Sequence, residues 1–224
     1  MSTLFTNARL IDPEAGIDAP GMVLVQNGRI AAVEKNAADP GQLLRAHKIN
    51  PEDAAQVDCG GKCLAPGIVD IGVKVCEPGE RHKESFKSAG LAAAAGGVTT
   101  IVTRPDTAPA IDSPETLEFV TRRAQADTPV NVLPMAALTK GREGREMTEI
   151  GFLLDAGAVA FSDCDHVIQN TKVFQRALTY ARSCGALVIA HPQEPGLSKG
   201  AAATSGKFAA LYGLPAVSPM AERM

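Results

Sequence analysis

The sequence predicts an α/β protein: a parallel (β/α)8-type barrel with about five βα units present, preceded by a small β-rich domain. After Pro66, apolar segments of strand length alternate with amphipathic segments of helix length, as in a parallel sheet covered on both faces. Most of these strands are followed by polar residues, which suits a barrel, whose sites collect at the C-terminal ends of its strands. A doubly wound sheet is disfavoured, because no G-x-G-x-x-G follows a strand.

Residues 1–64 are predicted to form the small domain, which we expect to be β-sandwich-like. Asn27-Gly28 lies between two apolar segments and is a strong hairpin signal. Residues 37–54, with their prolines and polar side chains, are expected to be a loop or a weakly helical insertion. The predicted strands are Thr3–Leu10, Met22–Val25, Arg29–Val33 and Gln56–Leu64, the last with a turn at Gly60-Gly61.

Residues 65–224 are predicted to form the partial barrel. Ser113 followed by Pro114 is a helix start signal, and glycines such as Gly157 and Gly185 mark helix ends. The predicted strands are Gly67–Val73, Val98–Thr103, Val130–Met135, Ala158–Phe161 and Leu187–Ala190. The predicted helices are Glu84–Ala95, Pro114–Ala126, Arg145–Ala156, Lys172–Cys184 and Ala201–Tyr212. A full barrel takes about 250 residues, so we expect an N-terminal half that is truncated before a sixth strand.

Composition narrows the choice of partners and compartment. The net charge of −3 and the scattered basic residues indicate neither nucleic acid nor an anionic membrane surface as partner. The pairs Arg122/Arg123 and Arg142/Arg145 are expected on solvated surfaces. No apolar run approaches the roughly 18 residues that span a bilayer, and the N-terminus does not read as a signal peptide. Five cysteines without an even-spaced framework favour free thiols in a reducing cytoplasm.

Seven short motifs are distributed over the chain. They are Ala65-Pro-Gly-Ile-Val-Asp70, Glu77-Pro-Gly79, Lys83-Glu-Ser-Phe86, Ala92-Ala-Ala-Ala-Gly-Gly-Val-Thr-Thr100, Arg104-Pro-Asp-Thr-Ala-Pro109, Ala160-Phe-Ser-Asp163 and Ala190-His191. With these motifs the chain resembles dihydroorotase of the amidohydrolase superfamily. The resemblance implies a barrel enzyme that closes and opens the cyclic amide of dihydroorotate in pyrimidine synthesis, using one or two zinc ions.

The first barrel strand departs from this family at its metal-binding positions. The family pattern is Asp-x-His-x-His-x-Arg-Glu-Pro-Gly, and the two histidine positions hold Gly72 and Lys74 here. Glycine has no side chain and an ammonium has no lone pair, so neither can bind a cation. The arginine that binds the substrate carboxylate in the family is replaced by Cys76.

Two later strand ends also depart from the family. Asp106 stands where the family has a substrate-binding asparagine, and we expect its charge to repel an anionic dihydroorotate. Asp163 is retained, and we expect it to hydrogen-bond the neighbouring loop. Cys164 takes the place of the metal-bridging aspartate, whereas His191 matches a histidine ligand. We therefore regard these seven residues as vestigial site positions: Gly72, Lys74, Cys76, Asp106, Asp163, Cys164 and His191.

No catalytic residue and no bound metal are expected, because a lone imidazole cannot hold catalytic zinc, which normally has three protein ligands. The alternative is a rearranged zinc site in which Cys76, Cys164 and His191 provide a Cys2His set. For Lys74 we predict a structural role: its ammonium replaces the lost charge of the metal by pairing with an acidic neighbour at the strand ends. The competing interpretation is that Lys74 extends into solvent.

These losses predict a dihydroorotase-like pseudoenzyme of pyrimidine biosynthesis. Some members of the family have lost their metal ligands and act as partners of aspartate transcarbamoylase in assembly, and this chain resembles them. Its expected partner is therefore aspartate transcarbamoylase or a further copy of itself. The alternative is an active zinc-dependent cyclic amidohydrolase with rearranged ligands.

Overall fold

The computed structural model describes residues 2–36 and 39–223 and divides into two compact units, Met1–Gly67 and Ile68–Met224. The first unit thus ends a few residues after position 64, which is the end predicted from the sequence. Ala37 and Ala38, at the start of the predicted insertion, lie outside the described residues. Within the described ranges, no helix is both long and apolar enough to cross a membrane.

The first unit is one mixed sheet with a helix on one face. Its strands are β1 (Ser2–Asp12), β2 (Ile17–Gln26), β3 (Arg29–Lys35), β4 (Ala54–Asp58) and β5 (Cys63–Leu64), in the order β3-β2-β1-β4 with β5 also beside β1. Strands β1 to β3 pair antiparallel, whereas β4 and β5 run parallel to β1. The predicted hairpin at Asn27-Gly28 is confirmed, because both residues have positive φ and Gln26 pairs with Arg29.

The prediction of a sandwich was wrong for the described part of this unit. Leu43 and Leu44 of helix α1 (Pro40–Ala46) pack on Leu4 and Leu24, so a helix supplies the second layer where a sandwich has a second sheet. The helix begins at Pro40, with the Asp39 carboxylate accepting a hydrogen bond from Gly41 N–H. The segment predicted as a loop or weak helix therefore contributes part of the core.

The second unit has a parallel sheet of four strands in sequence order. They are β6 (Ile68–Val73), β7 (Val98–Thr103), β8 (Asn131–Ala136) and β9 (Ala160–Phe161). The fifth predicted strand is present only as one parallel bridge between Phe161 and Val188. The helices that follow the strands are α2 (Phe86–Ala95), α3 (Pro114–Asp127), α4 (Ile150–Asp155) and α5 (Thr171–Ser183).

Local signals fix where these helices begin. The Ser85 hydroxyl accepts the N–H of Ser88 in a capping box at the start of α2. Ser113 caps α3 ahead of Pro114, as predicted, and the Asn170 amide oxygen caps α5. The core lies between the sheet and the helices, where Phe86, Leu117 and Phe161 are at most 1% exposed.

Two helix predictions need correction. Helix α4 begins at Ile150 instead of Arg145, because Thr148 is already bonded to the segment that follows β8: its N–H donates to Leu138 O and its hydroxyl to Ala137 O. The helix predicted over Ala201–Tyr212 is present only in its second half, over five residues. That region contains β10 (Ala203–Thr204), paired in parallel with β11 (Ala216–Val217), and the short helix α7 (Lys207–Leu211) that follows the four-residue helix α6 (Pro195–Ser198). The pairing holds the backbone of Ala203 and Thr204 in an extended conformation.

Candidate functional site

The C-terminal ends of β6 to β9 meet at one edge of the parallel sheet, where the sequence places its vestigial site positions. A cavity of about 420 Å³ opens there, and we call it the strand-end cavity. Gly72 contributes to its wall and has φ +94°, and a Cβ added there would meet nothing within 4 Å. The lining residues are Ile71, Gly72, Arg104, Met135, Ser162, Cys164, Asp165, Ile189, Ala190 and His191.

Lys74 and Asp106 form an ion pair beside this cavity. Lys74 Nζ lies 3.0 Å from Asp106 Oδ2, and the side chains are 52% and 4% exposed respectively. The hydrogen bond to Asp106, together with its negative charge, raises the pKa of Lys74 above the usual lysine value. Lys74 is therefore a cation at neutral pH, and the predicted pairing with an acidic neighbour is confirmed, whereas its role in place of a metal remains a proposal.

Arg104 binds both oxygens of the same carboxylate. Its Nε lies 3.2 Å from Asp106 Oδ1 and its Nη2 lies 2.9 Å from Asp106 Oδ2. Both carboxylate oxygens of Asp106 are thus held by cations, in the bidentate geometry that suits a guanidinium. The expected repulsion of an anionic ligand by Asp106 must be corrected, because Lys74 and Arg104 offset its charge.

Two further charged residues join this group and were not among the sequence-predicted site residues. Asp165 Oδ1 lies 3.2 Å from Arg104 Nη2 and 3.6 Å from Arg142 Nη1. The Arg142 side chain is 16% exposed, so its predicted solvated position was wrong, whereas Arg145 is 83% exposed as predicted. Arg142 follows Gly141 in a turn where both have positive φ. No sequence periodicity signals that conformation.

The carboxylate of Asp163 is engaged in hydrogen bonds within the protein. Its Oδ1 accepts the N–H groups of Leu138 and Thr139, each at 2.9 Å, and its Oδ2 accepts the Thr139 hydroxyl. The residue is 4% exposed. The predicted hydrogen bonding of Asp163 to the neighbouring loop is confirmed, and these bonds fix the segment after β8.

Cys164 has a backbone φ of +58° and donates its N–H to Ser162 Oγ at 2.9 Å. Burial raises the pKa of its thiol, and the negative charge of Asp106 raises it further, opposed in part by Arg104 and Arg142. At neutral pH the residue is a thiol, whereas metal binding requires a thiolate.

The remaining candidates are dispersed. His191 is exposed and its Nε2 lies 3.0 Å from Gln193 Oε1. Cys76 is half-buried in the turn after β6, where its carbonyl accepts Glu80 N–H at 2.8 Å. The neighbouring Glu77 is 5% exposed and pairs with Arg123, with Nε 2.9 Å from its Oε1, so Arg123 is a structural partner and not a solvated residue as predicted.

The zinc ions that the resemblance implies do not fit the donors present. Among residues 2–36 and 39–223, no three His, Cys, Asp or Glu side chains lie together in a way that could hold a metal ion. Cys76, Cys164 and His191 therefore do not form the alternative Cys2His set within the described chain. At the second histidine position, an ammonium occupies the place where a ligand would donate electrons.

Comparisons with solved structures concern the fold. An L-hydantoinase (dihydropyrimidinase) from Arthrobacter aurescens superposes with a TM-score of 0.70 at 21% identity, over 87% of this chain and 41% of that one. A dihydroorotase crystal structure superposes with a TM-score of 0.52 at 13% identity, over 87% of this chain and 52% of that one. The predicted fold class, an α/β protein with a partial parallel barrel, is confirmed.

Sequence comparisons identify the family. A protein named dihydroorotase from Syntrophus aciditrophicus (strain SB) is 36% identical over 222 residues, which are 99% of this chain and 50% of the relative. A second protein named dihydroorotase, from Sulfurihydrogenibium sp. (strain YO3AOP1), is 36% identical over 98% of this chain and 49% of the relative. The chain thus spans about half the length of the curated relatives that it matches. Since the sequence model of the Dihydro-orotase-like family matches residues 61–222, well over half of the chain, the protein belongs to that family.

Proposed function

We propose that this protein is a non-catalytic dihydroorotase-like protein of pyrimidine biosynthesis, which acts in the cytoplasm as a structural or assembly partner of aspartate transcarbamoylase. The observation that carries the proposal is the Lys74–Asp106 ion pair, 3.0 Å long, at a strand end where the resemblance calls for a histidine ligand. A cation fixed at that position opposes the binding of a metal ion by charge as well as by its lack of a lone pair.

The backbone at the other histidine position supports the same conclusion. Gly72 has φ +94°, which side-chain-bearing residues rarely adopt, and the β6–β7 register shifts between Ile71 and Val73. A histidine at this position would therefore need a different local backbone. The departure from the family pattern at this position therefore involves the backbone conformation as well as the missing histidine side chain.

The residues that remain polar in the site are engaged in structural contacts. Asp163 has three hydrogen bonds to the segment after β8, and Cys164 is a protonated thiol at neutral pH. A barrel fold tolerates such changes, because its stability resides in the core while the site lies on strand ends and loops. Retention of the core without the donors is the pattern expected of a protein kept for its surface.

A partner role follows from this pattern as part of the proposal. Relatives named dihydroorotase match the chain over nearly its whole length, while the histidine positions that the resemblance implies hold Gly72 and Lys74. Aspartate transcarbamoylase is the partner we propose, and self-association is the competing outcome of the test below.

The test is to purify the protein and measure zinc by mass spectrometry together with hydrolysis of dihydroorotate. We expect negligible zinc after dialysis and no ring opening above background, with the Syntrophus aciditrophicus dihydroorotase as positive control. About one zinc per chain that survives dialysis, together with ring opening, would establish the alternative, an active zinc-dependent cyclic amidohydrolase with rearranged ligands.

The partner is tested separately by size-exclusion chromatography with aspartate transcarbamoylase from the same organism. We expect the two proteins to co-elute at a larger size than either alone. Elution of this protein as a homo-oligomer, with the transcarbamoylase unshifted, would replace the proposed partner by a second copy of the chain.

A further inference from the structure

Five charged side chains of alternating sign form a continuous series along the strand ends. The series, which we call the strand-end ion chain, is Lys74, Asp106, Arg104, Asp165 and Arg142. Its successive contacts are 3.0 Å, 2.9 Å, 3.2 Å and 3.6 Å long. Arg104 is the central member, because it binds Asp106 through two nitrogens and Asp165 through one of them.

The members come from the ends of four neighbouring strands. Lys74 follows β6, Arg104 and Asp106 follow β7, Arg142 lies in the segment after β8, and Asp165 follows β9. The sheet order is β6-β7-β8-β9, so the ion chain crosses all four strand ends. It links segments that are distant in sequence, such as Arg104 and Asp165, which are 61 positions apart.

The ion chain is anchored on a buried charge. The Asp106 side chain is only 4% exposed, whereas Lys74 and Arg104 are 52% and 28% exposed. A buried carboxylate is strongly unfavourable without partners, and here each of its oxygens contacts a cation. Loss of Lys74 or of Arg104 therefore leaves the Asp106 carboxylate less well compensated.

We propose that the strand-end ion chain holds these four strand ends together in the place where catalytic members of the family bind metal, and that Lys74 is a positioning residue in it. This inference rests on the proposed function in one respect, the absence of a resident metal. Without a metal, side chains of the protein itself hold the strand ends in place.

The experiment compares Lys74→Met with a matched control, Lys140→Met, by thermal unfolding of the purified protein. Lys140 is 50% exposed and pairs with Glu146, which is 68% exposed, so the two lysines differ mainly in the burial of their partners. We expect Lys74→Met to lower the Tm by about 3–6 °C and Lys140→Met by less than about 1 °C. Equal shifts for the two variants would overturn the proposal.

A double-mutant cycle with Asp106→Asn provides the second measurement. In that background the buried charge is gone, so Lys74→Met should change the Tm by less than half of its effect in the wild type. An undiminished effect would show that Lys74 acts through other contacts and would also overturn the proposal.

Unfolding in the presence of EDTA separates this inference from the proposed function. An unchanged wild-type Tm is expected if no metal is resident. A Tm that falls with EDTA would contradict the proposed function, while the Lys74→Met comparison would still decide the role of the ion chain.

Discussion

Two buried carboxylates at the same edge of the sheet are stabilised in different ways. Asp163, which follows β9, accepts two backbone N–H groups and one hydroxyl. Asp106, after β7, is surrounded by the charged groups of Lys74 and Arg104. Both side chains are almost fully buried, 4% exposed in each case. The first is held by neutral donors of the segment after β8, whereas the second depends on cations from two strand ends.

This contrast shows which part of the site belongs to the fold and which part is specific to this chain. The Asp163 contacts are formed with the neighbouring segment alone and do not depend on what occupies the strand-end cavity. The Asp106 contacts include Lys74, a residue that stands where the resemblance implies a metal ligand. A change in the chemistry of the site therefore affects the surroundings of Asp106 and leaves those of Asp163 intact.

The largest effect is expected at Asp163. Asp163→Ala leaves the buried N–H groups of Leu138 and Thr139 without an acceptor, which we expect to cost about 3 kcal/mol of unfolding free energy and to lower the Tm by about 6–12 °C. Thermal unfolding measures this directly. Asp155→Ala is the control, because Asp155 is exposed on α4, and a similar small shift for both variants would contradict the comparison.

Substitution by asparagine sharpens the distinction between the two sites. Asp163→Asn keeps an oxygen that can accept the two N–H groups, and its amide can donate to the Thr139 hydroxyl. Asp106→Asn loses the charge that both of its cations bind. We therefore expect Asp163→Asn to recover most of the stability lost in Asp163→Ala.

An intermediate effect is expected from salt. The Lys74 side chain is half exposed, and screening acts over about 10 Å at 0.1 M ionic strength and about 3 Å at 1 M. The loss of stability in Lys74→Met should therefore fall by roughly half between 0.1 and 1 M NaCl, as measured by urea unfolding. The loss in Asp163→Ala should not change, because its partners are neutral. Equal salt dependence would remove the distinction between the two carboxylates.

Much of the fold follows from short-range signals in the sequence. The strand Val98–Thr103 has the predicted bounds, and α3 begins at Pro114 behind Ser113 as predicted. The failures occur where tertiary pairing overrides local preference. Thr148 is bonded to the segment after β8 and delays the start of α4, and the pairing of Ala203–Thr204 with a later segment replaces the first part of the predicted helix.

The candidate site was predictable in its location and only partly in its contacts. The Lys74–Asp106 pair could be expected, because both residues follow neighbouring parallel strands whose C-terminal ends meet. The parts played by Arg142 and Asp165 could not, since they depend on positive φ angles at Arg142 and at Cys164. Such angles arise from turn geometry, which neither composition nor periodicity specifies for residues other than glycine.

The smallest effect concerns the thiol of Cys164, which lies near enough to Asp106 to feel its charge. Burial raises the pKa of Cys164, and the charge of Asp106 raises it further, so the thiolate fraction at a given pH is lower than for an ordinary cysteine. Alkylation by iodoacetamide requires the thiolate, so Cys164 should react more slowly than the exposed Cys63 near pH 8. Its rate should continue to rise at pH values where the alkylation of a free cysteine in a short peptide levels off. Peptide mass spectrometry resolves the two sites, and Asp106→Asn, by removing one cause of the raised pKa, should move the Cys164 profile to lower pH. A profile that does not move would mean that Asp106, with its charge already offset by two cations, has no effect on its neighbour.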